Sequence, residues 1–207
     1  FTAIPEVRKV TATEEAAEWV EAVVEGVAAT SDEDILQRQY VMILLERGGA
    51  RGLPIWIGPA EAGPLALALE SVEMPRPFPY KLAAGLVEAA GSRITEVKIT
   101  RLLGKLYYAC VVVEGPGGTR EVDARPSDAV NLAVASGAPI RVNSELLTAV
   151  RAHADGGDAP SRMMTTADIA AEAHRQQEAA WRRAQSSGPQ SEGSNPQDVD
   201  AGRPPVS

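Results

Sequence analysis

The chain has 207 residues, 44% hydrophobic and 23% charged, with one cysteine and a formal net charge of −8. That size suits one domain with extensions or two small domains, and a lone cysteine excludes a disulfide framework or a cysteine-rich zinc module. The longest apolar run, Tyr40 to Leu45, falls far short of the ~20 residues of a membrane helix, and no signal-peptide pattern opens the chain. A cytoplasmic protein with no membrane partner is expected. The first residue is Phe1 and not Met, which fits a chain that begins inside a longer product.

The charge is unevenly distributed. Residues 1–34 carry 2 basic and 9 acidic side chains, net −7, whereas residues 35–150 carry 12 and 11. Residues 151–207 carry 6 and 8. A neutral middle argues against tight, non-specific binding of nucleic acid, though Arg76, Lys81, Arg93, Lys98, Arg101 and Lys105 could still converge on a small basic cleft.

Residues 11–29 read as a helix. Thr11 and Glu14 match a capping box, and Ala16, Val20, Val23, Val24 and Val27 recur at helical spacing. That valine face needs cover, from the domain or from a second copy in a homo-oligomer. The polar run from Thr30 to Asp34 marks a boundary after an acidic helical extension, 1–34.

The compact part follows, over 35–150. Two apolar strands, Tyr40–Glu46 and Leu53–Ile57, flank Gly48-Gly49 as a hairpin. Gly58-Pro59 opens a helix to about Glu70. Three prolines between Met74 and Pro79 exclude helix and central strand there, and helical spacing resumes from Tyr80 to Ala90, with Gly91 as its stop. An antiparallel meander is expected over Ile94–Leu102, Leu106–Glu114 and Thr119–Asp123. A helix from about Pro126 to Ser136 ends at Gly137, followed by a short edge strand, 138–142, and a short helix capped by Asn143 or Ser144. The pattern is α+β. Thr165 and Asp168 cap a further helix to about Ala184, making 151–184 a helical C-terminal extension, and from Gln185 the composition is that of a disordered tail.

Residues 35–150 hold no histidine, so imidazole chemistry is not expected in the core. Cys110 lies inside an apolar strand and reads as a buried, inert thiol. The densest polar cluster is Asp123-Ala124-Arg125-Pro126-Ser127-Asp128-Ala129-Val130-Asn131, at a strand end and helix start where free backbone amides favour anions. Two readings stand. Ser127 or Asp128 could cap the helix while Asp123 pairs with Arg125 to fix the turn. Alternatively, Asp123 and Asp128 could be oxygen ligands for Mg²⁺ or Mn²⁺, with Arg125 on a phosphate. Glu61, almost the only acid in an apolar helix, either complements the helix dipole or lies buried beside a cation. Arg76, on a stiff Pro-flanked segment, is an anion ligand or a surface ion pair.

Leu53-Pro54-Ile55-Trp56-Ile57-Gly58, Glu61-Ala62, Arg76-Pro77 and Asp123-Ala124-Arg125-Pro126-Ser127-Asp128-Ala129 together resemble the bifunctional nuclease (DNase/RNase) domain family, over about residues 38–150. The resemblance implies an α+β domain that hydrolyses both DNA and RNA, binding each weakly given the neutral core. Glu61, Asp123 and Asp128 then become the catalytic residues, with Asp123 and Asp128 holding a divalent metal. Arg76, Lys81, Arg125 and Ser127 become the substrate-binding set. One block departs from the pattern: family members often read Arg-Pro-Leu-Thr-His-Asp-Leu where this chain has Arg76-Pro77-Phe78-Pro79-Tyr80-Lys81-Leu82. Tyr80 could stack a base and Lys81 could bind phosphate, but the hydrolytic step would lean harder on the carboxylates. The rival expectation is a non-catalytic regulatory or partner-binding module on the same fold.

Overall fold

A computed structural model describes residues 7–8, 17–30, 38–49, 51–149 and 163–186. Among these, the strands are β1 (Val7–Arg8), β2 (Trp19–Ala29), β3 (Tyr40–Glu46), β4 (Arg51–Ile57), β5 (Arg93–Leu103), β6 (Leu106–Gly115), β7 (Gly118–Ala124), β8 (Ile140–Asn143) and β9 (Thr148–Ala149). They form one sheet in the order β1-β7-β6-β5-β8-β2-β3-β4-β9. Every pairing is antiparallel except β5 with β8. The helices are α1 (Pro59–Leu69), α2 (Pro79–Ala89), α3 (Pro126–Ser136) and α4 (Thr166–Ser186). The fold is α+β, with the hairpin, the meander and the C-terminal helix where the sequence places them.

Residues Phe1–His174 group as one unit and Arg175–Ser207 as a second. The described part of the second is the latter half of α4, a helix that starts as the Thr165–Asp168 pair predicts. The Asp168 carboxylate accepts from the Thr165 amide and hydroxyl, and the Thr165 hydroxyl accepts from the Asp168 amide. In the first unit, α1 lies on β2 and β3, α3 on β5 and β6, and α2 on α3 and β5. Met42, Leu44, Leu53, Leu65, Val97, Ile99, Val130 and Val142 are fully buried between sheet and helices. The other side of the central strands carries a charge ladder. Lys98 pairs with Glu96 and Glu121, and Arg141 lies between Glu21 and Glu96. Cys110 is buried in β6 and forms no disulfide among the described residues.

The helix expected over 11–29 is instead a strand. β2 lies between β8 and β3, with Val20 opposite Val142 and Val24 opposite Leu44. Its register shifts between Val24 and Gly26. Val20, Ala22 and Val24 face the core with period two, and one extra residue brings Val27 and Ala29 onto the same side. That slip converts a strand's alternation into spacings of four and three, which read as helical. Four valines supply the deciding preference, since β-branched side chains favour a pleated surface over a helix. The Thr11–Glu14 box lies outside the described residues, as does the tail after Ser186.

Two further expectations are corrected. The strand after Gly137 is not at an edge, because β8 sits between β5 and β2. α3 carries the chain from β7 back over the sheet, so β8 can enter parallel to β5. The final short helix is only a 3-10 turn, Ser144–Leu146, whose start is capped by the Asn143 side chain accepting from the Glu145 amide. β9 follows and pairs with the start of β4, taking residues that would have extended that turn.

Candidate active site

Three helix starts converge on one side of the helical layer. Each of α1, α2 and α3 begins with proline at its first or second position and has no side-chain cap. Proline fixes the entry angle, and its missing N–H costs nothing there. The uncapped ends leave side chains of the first turns free to meet one another.

Arg125 is the residue that joins them. It is the N-cap of α3, with extended backbone, which aims its side chain away from the helix. Its Nε donates to Asp128 Oδ2 at 2.8 Å and its Nη2 to Asp128 Oδ1 at 3.2 Å. The same Nη2 donates to Glu61 Oε1 at 2.6 Å. Asp128 in turn accepts from the Tyr80 hydroxyl at 2.8 Å through Oδ1. Behind them, the Asn131 amide donates to the backbone oxygens of Glu61 and Ser127, tying the start of α1 to α3.

The environments differ in a way that matters chemically. Glu61 is 7% exposed, whereas the Arg125 side chain is 67% exposed. One edge of the guanidinium is thus held by carboxylates while the rest meets solvent. The neighbouring Asp128 and then Glu61 hold Arg125 above the ordinary guanidinium range. Burial first, and then the hydrogen bond to Asp128, push the Tyr80 phenol well above its usual value. Tyr80 therefore remains a protonated donor at any physiological pH. Glu61 Oε2 lies where a Cβ on Gly58 would sit, at 2.5 Å from that position. A side chain at 58 would require the carboxylate to turn from its place over the start of its own helix.

Beside the cluster lies a cleft of about 530 Å³ between α1, α2, α3 and the loop joining α1 to α2. Tyr80 and Asn131 belong to both cluster and cleft. Arg76 and Lys81 line it as exposed cations beside the exposed acid Glu73, with Phe78, Met74 and Leu67 supplying apolar surface. Ser71 on its rim holds a left-handed backbone, φ 54°, an uncommon state for a residue with a side chain.

Several expected roles change. Asp123 does not pair with Arg125: it stands exposed on β7, opposite Cys110 in the ladder, and its side chain makes no hydrogen bond or ion pair among the described residues. Its neighbours in the pleat, Val122 and Ala124, point toward the helices, so its own side chain points to the other face. Neither Ser127 nor Asp128 caps α3, because Arg125 already holds that position. Ser127 is buried, and its backbone oxygen serves Asn131. Two members of the cluster were missed as site residues. In the sequence Tyr80 reads only as a base-stacking residue, and Asn131 only as the end of a polar run. The signal for Asn131 was its spacing from Ser127, one turn on the buried side of α3. No local signal marks Tyr80, whose partner is 48 residues away.

The donor set does not fit a divalent cation as it stands. Asp123 and Asp128 are not joined, and Glu61 and Asp128 both face Arg125. Among the described residues no three His, Cys, Asp or Glu side chains gather in metal-binding fashion.

An α+β sheet with one helical layer thus carries a carboxylate–arginine–tyrosine cluster beside a cleft whose charged lining is Arg76, Lys81 and Glu73. The bifunctional nuclease domain family matches residues 42–155, and the chain belongs to that family. A protein of Mycobacterium tuberculosis is 40% identical over 111 residues, 54% of this chain and 66% of that one. "Bifunctional nuclease 1" of Arabidopsis thaliana is 30% identical over 126 residues, 59% of this chain and 37% of its own length. "Bifunctional nuclease" of Oryza minuta is 29% identical over 116 residues, covering 55% and 35%. The chain thus spans only about a third of the plant relatives. No described helix is long and apolar enough to cross a membrane.

Proposed function

We propose that the chain hydrolyses phosphodiester bonds of DNA and RNA at the mouth of the cleft. The observation that carries this reading is the meeting of Glu61, Tyr80, Arg125 and Asp128 beside a cleft lined by Arg76 and Lys81. In this account the exposed edge of Arg125 binds the scissile phosphate and offsets the charge that builds on its oxygens. Arg76 and Lys81 hold neighbouring phosphates, and Phe78 offers apolar surface to a base. Glu61 Oε2, which accepts no hydrogen bond from the described residues, takes a proton from the attacking water. The water oxygen bonds to phosphorus as the bond to the leaving ester oxygen breaks, and that oxygen takes its proton from solvent. Asp128 orients Arg125, and Tyr80 orients Asp128. The cytoplasm would be the place of action.

A second reading rests on one observation. Arg125 already satisfies both carboxylates, as it would in a brace between α1 and α3. A binding module would then use Arg76 and Lys81 without cleavage. Purified chain on labelled single-stranded RNA and duplex DNA, with Mg²⁺, Mn²⁺ or EDTA, separates the two. Cleavage that Glu61→Gln abolishes supports the nuclease; binding without cleavage in every buffer supports the module.

A further inference from the structure

One face of α2 has no partner among the described residues. Leu82 and Leu86 are 53% and 62% exposed, and Gly85 and Ala89 lie between and beyond them on the same side. Helical geometry puts this face opposite Ala84, the buried residue of α2. A Cβ on Gly85 would meet nothing within 4 Å. Lys81 and Glu88 run along one flank, both exposed and neither ion-paired among the described residues. Two turns separate them, about 10 Å along the helix, so they are too far apart to pair with each other.

We propose that this face is an interface with a second copy of the chain, two α2 helices packing antiparallel about a two-fold axis near Gly85. The charges select this occupant and this orientation. Reversing the helix places Lys81 against the partner's Glu88, and the symmetry makes the same pair twice. A parallel two-fold pairing would turn that flank toward the partner's other flank, Ala83 and Val87, and leave both charges unpaired. Leu82 and Leu86 then cover the partner's apolar face, and Gly85 lets the backbones approach. Because Lys81 lines the cleft, each copy places a carboxylate at the edge of the other's basic site. The two clefts lie at opposite ends of the pair, with their Tyr80 residues about 13 Å apart along the helices. Two 11-residue helices bury less than the about 1,600 Å² of a standard interface, so the association is weak and concentration-dependent.

Sedimentation of the full chain across a concentration series should show a monomer–dimer equilibrium. Leu86→Glu should leave a monomer with unchanged circular dichroism. Lys81→Glu or Glu88→Lys alone should weaken association about tenfold or more, and the double variant should restore it. A monomer at every concentration overturns the proposal, as does a dimer indifferent to Leu86→Glu or a double variant no better than the singles. Should Leu86→Glu lose structure, zero-length carbodiimide coupling of mixed ¹⁴N and ¹⁵N wild-type chains decides. A mixed-isotope amide between Lys81 and Glu88 supports the interface, and its absence contradicts it. Each readout is of association, so loss of the hydrolytic reading would leave it standing.

Discussion

Glu61 shows how much one side chain depends on its neighbours' absence. Its Oε2 would lie 2.5 Å from a Cβ on Gly58, so Gly58→Ala should turn the carboxylate and weaken its bond to Arg125 through Oε1. Loss of that charge-assisted bond at a buried acid should lower stability by about 1–3 kcal/mol, read in a thermal melt, and cleavage should fall with it. An unchanged melt would mean that the carboxylate has another resting place. Tyr80 offers a test through pH. Its folded phenol holds its proton above the unfolded value near 10, so the unfolded chain ionises first as pH rises. The bond to Asp128 therefore contributes fully below pH 10, and stability falls as pH climbs beyond it. Tyr80→Phe should cost about 1 kcal/mol at neutral pH and should flatten that alkaline decline. A variant with the wild-type alkaline slope would show that other groups dominate it. At this scale the sequence was half legible. Glu61 stood out as an acid in an apolar helix, and the Asp123–Asp128 run as a polar turn. Which acid faces Arg125 depends on the phase of β7 and the entry of α3, and a single residue of pleat sends Asp123 to the other face.

The element that most resisted reading from sequence is β2. Local pattern favoured a helix because the shift near Gly26 mimics helical spacing, whereas pairing with both β3 and β8 makes it an interior strand. The hairpin, α1 to α3 and the meander were legible because their turn residues and their apolar period agree. Gly26 is where β2 meets α4: a Cβ there would come within 2.7 Å of Thr166 Oγ1, which bonds both the amide and the carbonyl of Val27. Gly26→Ala should displace that hydroxyl and cost about 1–3 kcal/mol in denaturant unfolding. An unaltered midpoint would show that the start of α4 shifts freely. Deleting residues 1–34 removes β2 altogether and should give a chain without a cooperative transition. A cooperative melt from that truncation would mean that β3 and β8 can close the sheet without it.

For the whole molecule, the neutral middle and the local cleft fit together. Net charge near zero over 35–150 predicts weak attachment to nucleic acid, and at the site Arg76 and Lys81 stand beside Glu73 while Arg125 is offset by Glu61 and Asp128. Binding should accordingly fall with salt, yet with a shallow slope set by these few cations. The most direct test of the site is Asp128→Asn, followed by cleavage of labelled single-stranded RNA together with the thermal melt. The substitution keeps size and an acceptor for Tyr80 but removes the charge that orients Arg125. The account predicts cleavage reduced by about two orders of magnitude or more, with a melting temperature within a few degrees of wild type. Undiminished cleavage by Asp128→Asn would contradict it and move the chemistry away from the Glu61–Arg125–Asp128–Tyr80 cluster.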